Sequence, residues 1–374
     1  MRADYDLAEL LQYENIAWYE DGEVRILDRR IYPAEKEFVV CKTHWEVAKA
    51  ITDMVTQSAG PYTAAPMGMA LAAFECRNLT KEKQKSFLND AAYKIANARP
   101  STAKRMRYMV DQCLKTAYAI LDGKDPGGAE TAHGSGGPAS SAVYNASDIA
   151  GAIAAKAIEM NDERYDRIDK IAKHLVDKIP AGGHVMTYCW AETIVGMMLR
   201  NCRQQGKEIK LYCNETRPYF QGARLTASCA HDMGFDVTVI TDGMPAYVFE
   251  HEGIDIFTTA ADAICMDGSV INKVGTCNTA IVAKHFGVPY YVTGAPEVVH
   301  KTAKDVPIEQ RGGDFTLQAM GVRTAKEGVN GLYPSFDATP PELVTGIATE
   351  YGIFAPAELD EYFKLAGNEF KVVV

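Results

Sequence analysis

No apolar run in this chain is long enough to span a bilayer, so the sequence predicts no transmembrane helix. A Lys/Arg-rich tract is also missing, and the net charge is -10. Broad electrostatic attraction to nucleic acid or an anionic membrane is therefore not expected. The opening MRADYDLAEL lacks the basic-then-apolar order of a secretory signal. The nine cysteines are odd in number and have no CxxC spacing, which argues against a disulfide framework and for a reduced, cytoplasmic setting. His184 and Cys189 lie near each other, but no further spacing completes a zinc site. Gly127-Gly128 and Gly182-Gly183 do not form GxGxxG, and GxxxxGK followed by Ser or Thr does not occur. Nicotinamide and P-loop chemistry thus have no motif to rest on.

What is present is an ordinary globular balance, 47% hydrophobic and 24% charged over 374 residues, enough for one or two domains with a sizeable core. Residues 1–122 read as a smaller, helix-rich domain with short strands at Glu23–Leu27 and Glu37–Cys41. Helical spacing begins at WEVAKAITDMV, is interrupted by Gly60 and Pro61, and resumes at MGMALAAFE; further helices are expected at 85–98 and 102–121. Gly, Pro and Ser dominate residues 123–143, a linker or active-site loop. Residues 144–374 alternate strand-like and helix-like segments. The strand candidates are 184–189, 209–213, 236–241, 254–259 and 288–293, a rhythm that predicts a Rossmann-like parallel sheet of the α/β class. Right-handed crossovers would bring the ends of these segments to one edge, carrying Cys189, the 214–221 loop, Asp242 and Asp262 with them.

Cys189 closes HVMTYC just before a helix, where a helix N-terminus can lower a thiol pKa; an inert buried thiol is the alternative. Asp262 sits in the apolar context FTTAADAICM, where burial would raise its pKa into a useful range for proton transfer, unless it caps the next helix. NETRPYFQGARLTA at 214–227 concentrates Glu215, Arg217, Gln221, Arg224 and Thr226 at a helix entry. Its arginines either meet a ligand or brace the loop, and the Gln221 amide is placed to reach a ligand. Asn272 and Lys273 precede GTCNTA, a second helix opening and a candidate anion site, and Arg99 is a further oxyanion donor.

These segments resemble the methylthioribose-1-phosphate isomerase family over nearly the whole chain. The resemblance runs through ILDRRIYP (26–33), NARPSTA (97–103), NETRPYFQGARLTA, DGSVINKVGT, VPIEQR (306–311), GVRTAKEGV (321–329) and FDATPPELVTGIATEYG (336–352). Relatives include ribose-1,5-bisphosphate isomerases and non-catalytic subunits of a translation exchange factor. The resemblance implies catalytic roles for Cys189 and Asp262, and substrate or phosphate contacts at Arg99, Gln221, Asn272 and Lys273. It also implies a homodimer that needs neither metal nor other cofactor and acts on a small phosphorylated sugar.

Some positions depart from the family pattern. TQSAGPYTAAPMG at 56–68 lacks the arginine of the usual RGAP motif, THCN is replaced by Thr187, Tyr188, Cys189 and Trp190, and Ala263 replaces the arginine of GADR. Trp190 either touches the sugar or packs in the core. The implied reaction is isomerisation of a 5-substituted ribose 1-phosphate to the ribulose 1-phosphate. In it Asp262 protonates the ring oxygen and Cys189 takes a proton from C2, or a hydride moves from C2 to C1. Two other readings stand beside it: ribose-1,5-bisphosphate isomerisation, with Arg105 or Arg107 meeting the second phosphate, and a non-catalytic sugar-phosphate-sensing subunit.

Overall fold

The chain opens on a hairpin whose turn chemistry is visible in the sequence. Asp21 and Gly22, with φ of 48° and 82°, form the two-residue connection between β1 (Ala17–Glu20) and β2 (Glu23–Leu27), the left-handed pair such tight hairpins need. The computed structural model describes residues 2–99, 103–124 and 148–367. It comprises two compact units, Met1–Asp166 and Arg167–Val374.

In the first unit β3 (Phe38–Cys41) completes an antiparallel sheet of order β1-β2-β3, preceded by the single turn α1 (Tyr13–Ile16). A capping box between Thr43 and Glu46 starts α2 (His44–Thr52). Gly60 and Pro61 open the next helix, α3 (Gly60–Cys76), because proline is tolerated in a first turn where its missing N–H has no intrahelical partner. Nearly every residue of α3 is buried, so it forms the centre of this unit, against α2, α4 (Lys81–Ala96) and α5 (Ala103–Leu121). A Cβ at Gly68 would come within 2.8 Å of Val47 and 3.2 Å of Ile95, which explains the small residue at this helix crossing.

Helix α6 (Ile149–Val176) contains the division between the two units, at residues 166 and 167. The connection expected at 123–143 lies outside the described residues from residue 125 onward.

The second unit is a Rossmann-like α/β fold. Its strands are β4 (His184–Thr187), β5 (Lys210–Asn214), β6 (Asp236–Ile240), β7 (Ile256–Ala260), β10 (Tyr290–Thr293), β16 (Gly346–Thr349) and β17 (Gly352–Phe354), in the order β17-β16-β10-β7-β4-β5-β6. All neighbours are parallel except the edge hairpin β16–β17. The helices α7 (Thr193–Gln204), α8 (Ala227–Asp232), α9 (Pro245–His251) and α10 (Thr276–His285) lie between strands in the chain, and α11 (Leu359–Ala366) follows. A smaller sheet, β15-β9-β8, joins Phe336–Thr339, Val270–Lys273 and Ala263–Ile264. Two-residue ladders pair β11 (Gln310–Arg311) with β14 (Tyr333–Pro334) and β12 (Gln318–Ala319) with β13 (Val322–Arg323).

The strand order positions the chemistry. From β4 the chain adds β5 and β6 on one side, then returns to place β7, β10 and β16 on the other. Thr187 of β4 is paired with Thr258 of β7, so the connections leaving these neighbouring strands diverge. A crevice beyond the carboxyl ends is the consequence, the usual ligand position in open parallel sheets.

Candidate active site

Two residues beyond β4, Cys189 adopts a φ of 67°, and Glu192 follows at 50°. Across the crevice, two residues beyond β7, Asp262 is tied through its backbone N–H to the Ile271 carbonyl at 2.8 Å. Beyond β5, Thr216 and Phe220 have φ of 65° and 55°. These four are half of the eight non-glycine residues with positive φ among the described residues, so unusual backbone geometry is concentrated at this edge.

The 214–226 loop is shaped by close approach. Gly222 begins a π-helical turn, Gly222–Thr226, and a Cβ there would lie 1.8 Å from the Asn214 carbonyl oxygen. The Asp242 carboxylate accepts from the backbone N–H groups of Thr216 (2.9 Å) and Arg217 (2.7 Å). Arg217 also donates to the carbonyls of Thr316 (3.3 Å) and Gln318 (2.8 Å), while Arg224 donates twice to the Tyr219 carbonyl. Both arginines therefore brace the loop. Gln221 is buried, and its Oε1 has no hydrogen-bond partner among the described residues; the same is true of Nε1 of the buried Trp190.

The electrostatic surroundings of Cys189 bring together residues distant in sequence. Burial pushes its thiol up to about 11; the Lys273 ammonium and the Trp190 backbone N–H act against this, and the Asp262 and Asp242 carboxylates add to it. The expected lowering of this thiol is thus not produced, because desolvation of the sulfur prevails. Asp262, expected to be buried by its apolar flanks, is instead exposed just beyond the carboxyl end of β7.

Lys273 is buried at the end of β9, with Nζ 3.4 Å from the Tyr333 hydroxyl and 5.0 Å from the Phe336 ring centroid. Asn272 donates to Thr276 Oγ1 at 3.0 Å. The helix opening that follows is already occupied by protein. Asp337, paired with Asn272 across β15 and β9, accepts from the backbone N–H of Gly275 at 2.6 Å and of Cys277 at 3.2 Å. The anion expected at this end of α10 is therefore the protein's own carboxylate. Burial raises Asp337 to about 6 against the pull of these N–H groups and Lys273.

Tyr188 is the other residue that sequence reasoning passed over. Its buried hydroxyl is hydrogen-bonded to Asp242, and a Cβ at Gly275 would approach it to 1.9 Å. The signal was its position beside Cys189.

In the first unit, Arg99 is half-buried just beyond α4, next to residues 100–102, which lie outside the described residues. Arg105 donates to the Tyr62 hydroxyl at 3.4 Å, and the exposed Arg107 lies 5.7 Å from the Tyr93 ring centroid.

Residues 62–356 match the initiation factor 2 subunit family. The chain belongs to that family. Among similar members, the methylthioribose-1-phosphate isomerase of Roseiflexus castenholzii is 33% identical over 91% of this chain and 94% of its own length. Methylthioribose-1-phosphate isomerase 1 of Pseudothermotoga lettingae is 30% identical over 92% and 95%. Of solved structures, 5-methylthioribose 1-phosphate isomerase from Pyrococcus horikoshii OT3 superposes with a TM-score of 0.80 at 26% identity, covering 98% of this chain and all of that one. The delta subunit of translation initiation factor eIF-2B from A. fulgidus gives 0.76 at 30% identity, with 94% and 99% covered. The family thus includes proteins named as enzymes and as translation factors, and its fold alone does not choose between these roles.

Proposed function

We propose that this protein is an aldose–ketose isomerase that converts a 5-substituted ribose 1-phosphate, S-methyl-5-thioribose 1-phosphate or a close analogue, to the ribulose 1-phosphate. The observation that carries this reading is that the Cys189 thiol, beyond β4, lies within electrostatic range of the Asp262 carboxylate, beyond β7, and of the buried Lys273 ammonium at the end of β9. Identities of 30–33% to relatives named methylthioribose-1-phosphate isomerase support it.

A sugar esterified at C1 cannot open as a free hemiacetal does, so a proton must reach the ring oxygen as its bond to C1 breaks. A thiol held near 11 is protonated at neutral pH, which makes Cys189 the donor in this proposal. Hydrogen then moves from C2 to C1, and the C2 hydroxyl gives its proton to Asp262, leaving a ketone. This reverses the initial assignment of acid and base, for an electrostatic reason. Lys273 provides fixed positive charge for the phosphate. Gln221, Asn272 and Trp190 are proposed substrate contacts, as is Arg99 on the strength of the NARPSTA resemblance. A homodimer in the cytoplasm belongs to the same proposal, and sedimentation tests its stoichiometry.

The test is a panel of C5-modified ribose 1-phosphates assayed for ketose 1-phosphate. Turnover of the methylthio compound, lost by about 10²-fold or more in Cys189→Ser and Asp262→Asn, is the expected result. Reaction in D2O separates the routes at C2: deuterium at product C1 marks proton transfer, and its absence in a single turnover marks a hydride shift. One rival, a non-catalytic sensing subunit, starts from the likeness to the delta subunit of translation initiation factor eIF-2B from A. fulgidus, and the relatives named methylthioribose-1-phosphate isomerase support turnover over it. Ligand binding without turnover anywhere in the panel would establish it instead.

A further inference from the structure

The peptide of Cys189 is held at both ends by one loop. Its N–H donates to Thr216 Oγ1 at 3.0 Å, and its carbonyl accepts from Thr226 Oγ1 at 2.5 Å. Thr216 Oγ1 spends its own proton on the Asn214 carbonyl at 3.1 Å, so only its lone pairs remain for Cys189. Both threonines are fully buried. The loop that carries them is itself anchored by Asp242 at the backbone of Thr216 and Arg217, and Gly222 leaves no room for a Cβ against the Asn214 carbonyl.

Cys189 is meanwhile in the left-handed region, which a residue with a Cβ rarely adopts unless its surroundings impose it. A return to negative φ would rotate its Cβ and carry the sulfur away from its present neighbours.

We propose that Thr216 and Thr226 are positioning residues for Cys189. Their hydroxyls lock its peptide in the left-handed conformation that sets the direction of the sulfur. Neither touches substrate in this assignment; both act through the cysteine. The kinetic consequence rests on the isomerase reading, while the effect on the thiol does not.

The experiment uses the full chain with Thr216→Val and Thr226→Val, which keep shape and remove the hydroxyl, and with serine at each position, which restores it. For turnover of S-methyl-5-thioribose 1-phosphate, each valine variant should lower kcat by about 10- to 100-fold with KM changed less than about two-fold, and serine should recover most of the loss. Independently, iodoacetamide labelling of Cys189 is followed by peptide mass mapping, which separates it from the half-buried Cys277. Burial is the largest influence holding this thiol protonated, so a released sulfur should react at least about five-fold faster at pH 8 in the valine variants and return to the wild-type rate with serine.

Valine variants that match the wild type in both kcat and labelling would overturn the proposal, as would a loss confined to KM or one that serine fails to repair. Should valine disturb folding, Thr226→Ala, which removes the hydroxyl together with the methyl and adds no atom to the site, is judged by the same two readouts. A wild-type protein that turns over no member of the panel removes the isomerase reading, and labelling then decides the clamp.

Discussion

Replacing Asp337 with asparagine should alter the pH dependence of stability more distinctively than stability at any one pH. The carboxylate takes two backbone N–H groups at the start of α10 and lies within electrostatic range of Lys273; all three favour its charged form. Burial opposes them and prevails, holding the group at about 6 instead of 3.8. The folded state therefore takes up a proton at higher pH than the unfolded chain. Stability from this group is fully present below the unfolded value, falls as pH rises through the window, and is lost above about 6. A gap of about two units at about 1.4 kcal/mol each sets a ceiling of roughly 3 kcal/mol. Asparagine exchanges no proton and should show no such slope.

Urea titrations of both proteins from about pH 4 to about pH 7 test this, because the difference between them cancels the other carboxylates they share. Wild-type stability minus variant stability should shrink by up to roughly 3 kcal/mol across that range. Parallel curves would refute the reasoning. A difference that widened instead would mean that the helix-end N–H groups outweigh desolvation.

Other outcomes follow from the same geometry. Gly222→Ala places a Cβ 1.8 Å from a backbone oxygen, a clash no rotamer relieves, and should cost roughly 3 kcal/mol or more in a thermal or urea melt. Labelling of Cys189 by iodoacetamide should rise about ten-fold per pH unit between pH 7 and 10, with a midpoint near 11. Lys273→Met should move that midpoint upward, since the ammonium is the leading influence that lowers it; an unchanged midpoint would separate the lysine from the thiol. Gly275→Ala meets both the Tyr188 hydroxyl and an unfavourable φ of 104°, and should weaken sugar-phosphate binding and stability together.

Much of this architecture was legible in the order of residues. The strand segments that became β4, β5, β6, β7 and β10 are short apolar runs bounded by turn residues, and a parallel sheet follows from their spacing. A residue just beyond such a strand lies at the carboxyl edge, so Cys189 and Asp262 could be placed on one side of the sheet without coordinates. The Arg217 and Arg224 alternatives were also visible, although only the folded loop shows both bracing it. Gly60 and Pro61 read as an interruption because the same residues that end one helix can begin another.

Tertiary structure alone decided charge and exposure. Apolar neighbours in sequence suggested a buried Asp262, yet adjacent residues at the end of a strand leave in different directions, and this side chain meets solvent. The helix end at Gly275 looked open to a ligand until Asp337, 62 residues onward, arrived from β15 to occupy it. The thiol's proton is likewise set first by burial and then by groups on separate connections: Lys273 from β9, Asp262 beyond β7 and Asp242 beyond β6. Local order in the chain determines strands, helices and turns because these depend on periodicity and neighbouring residues. Proton affinity and ligand access depend on distances through space, and those exist only once the sheet has brought its connections together.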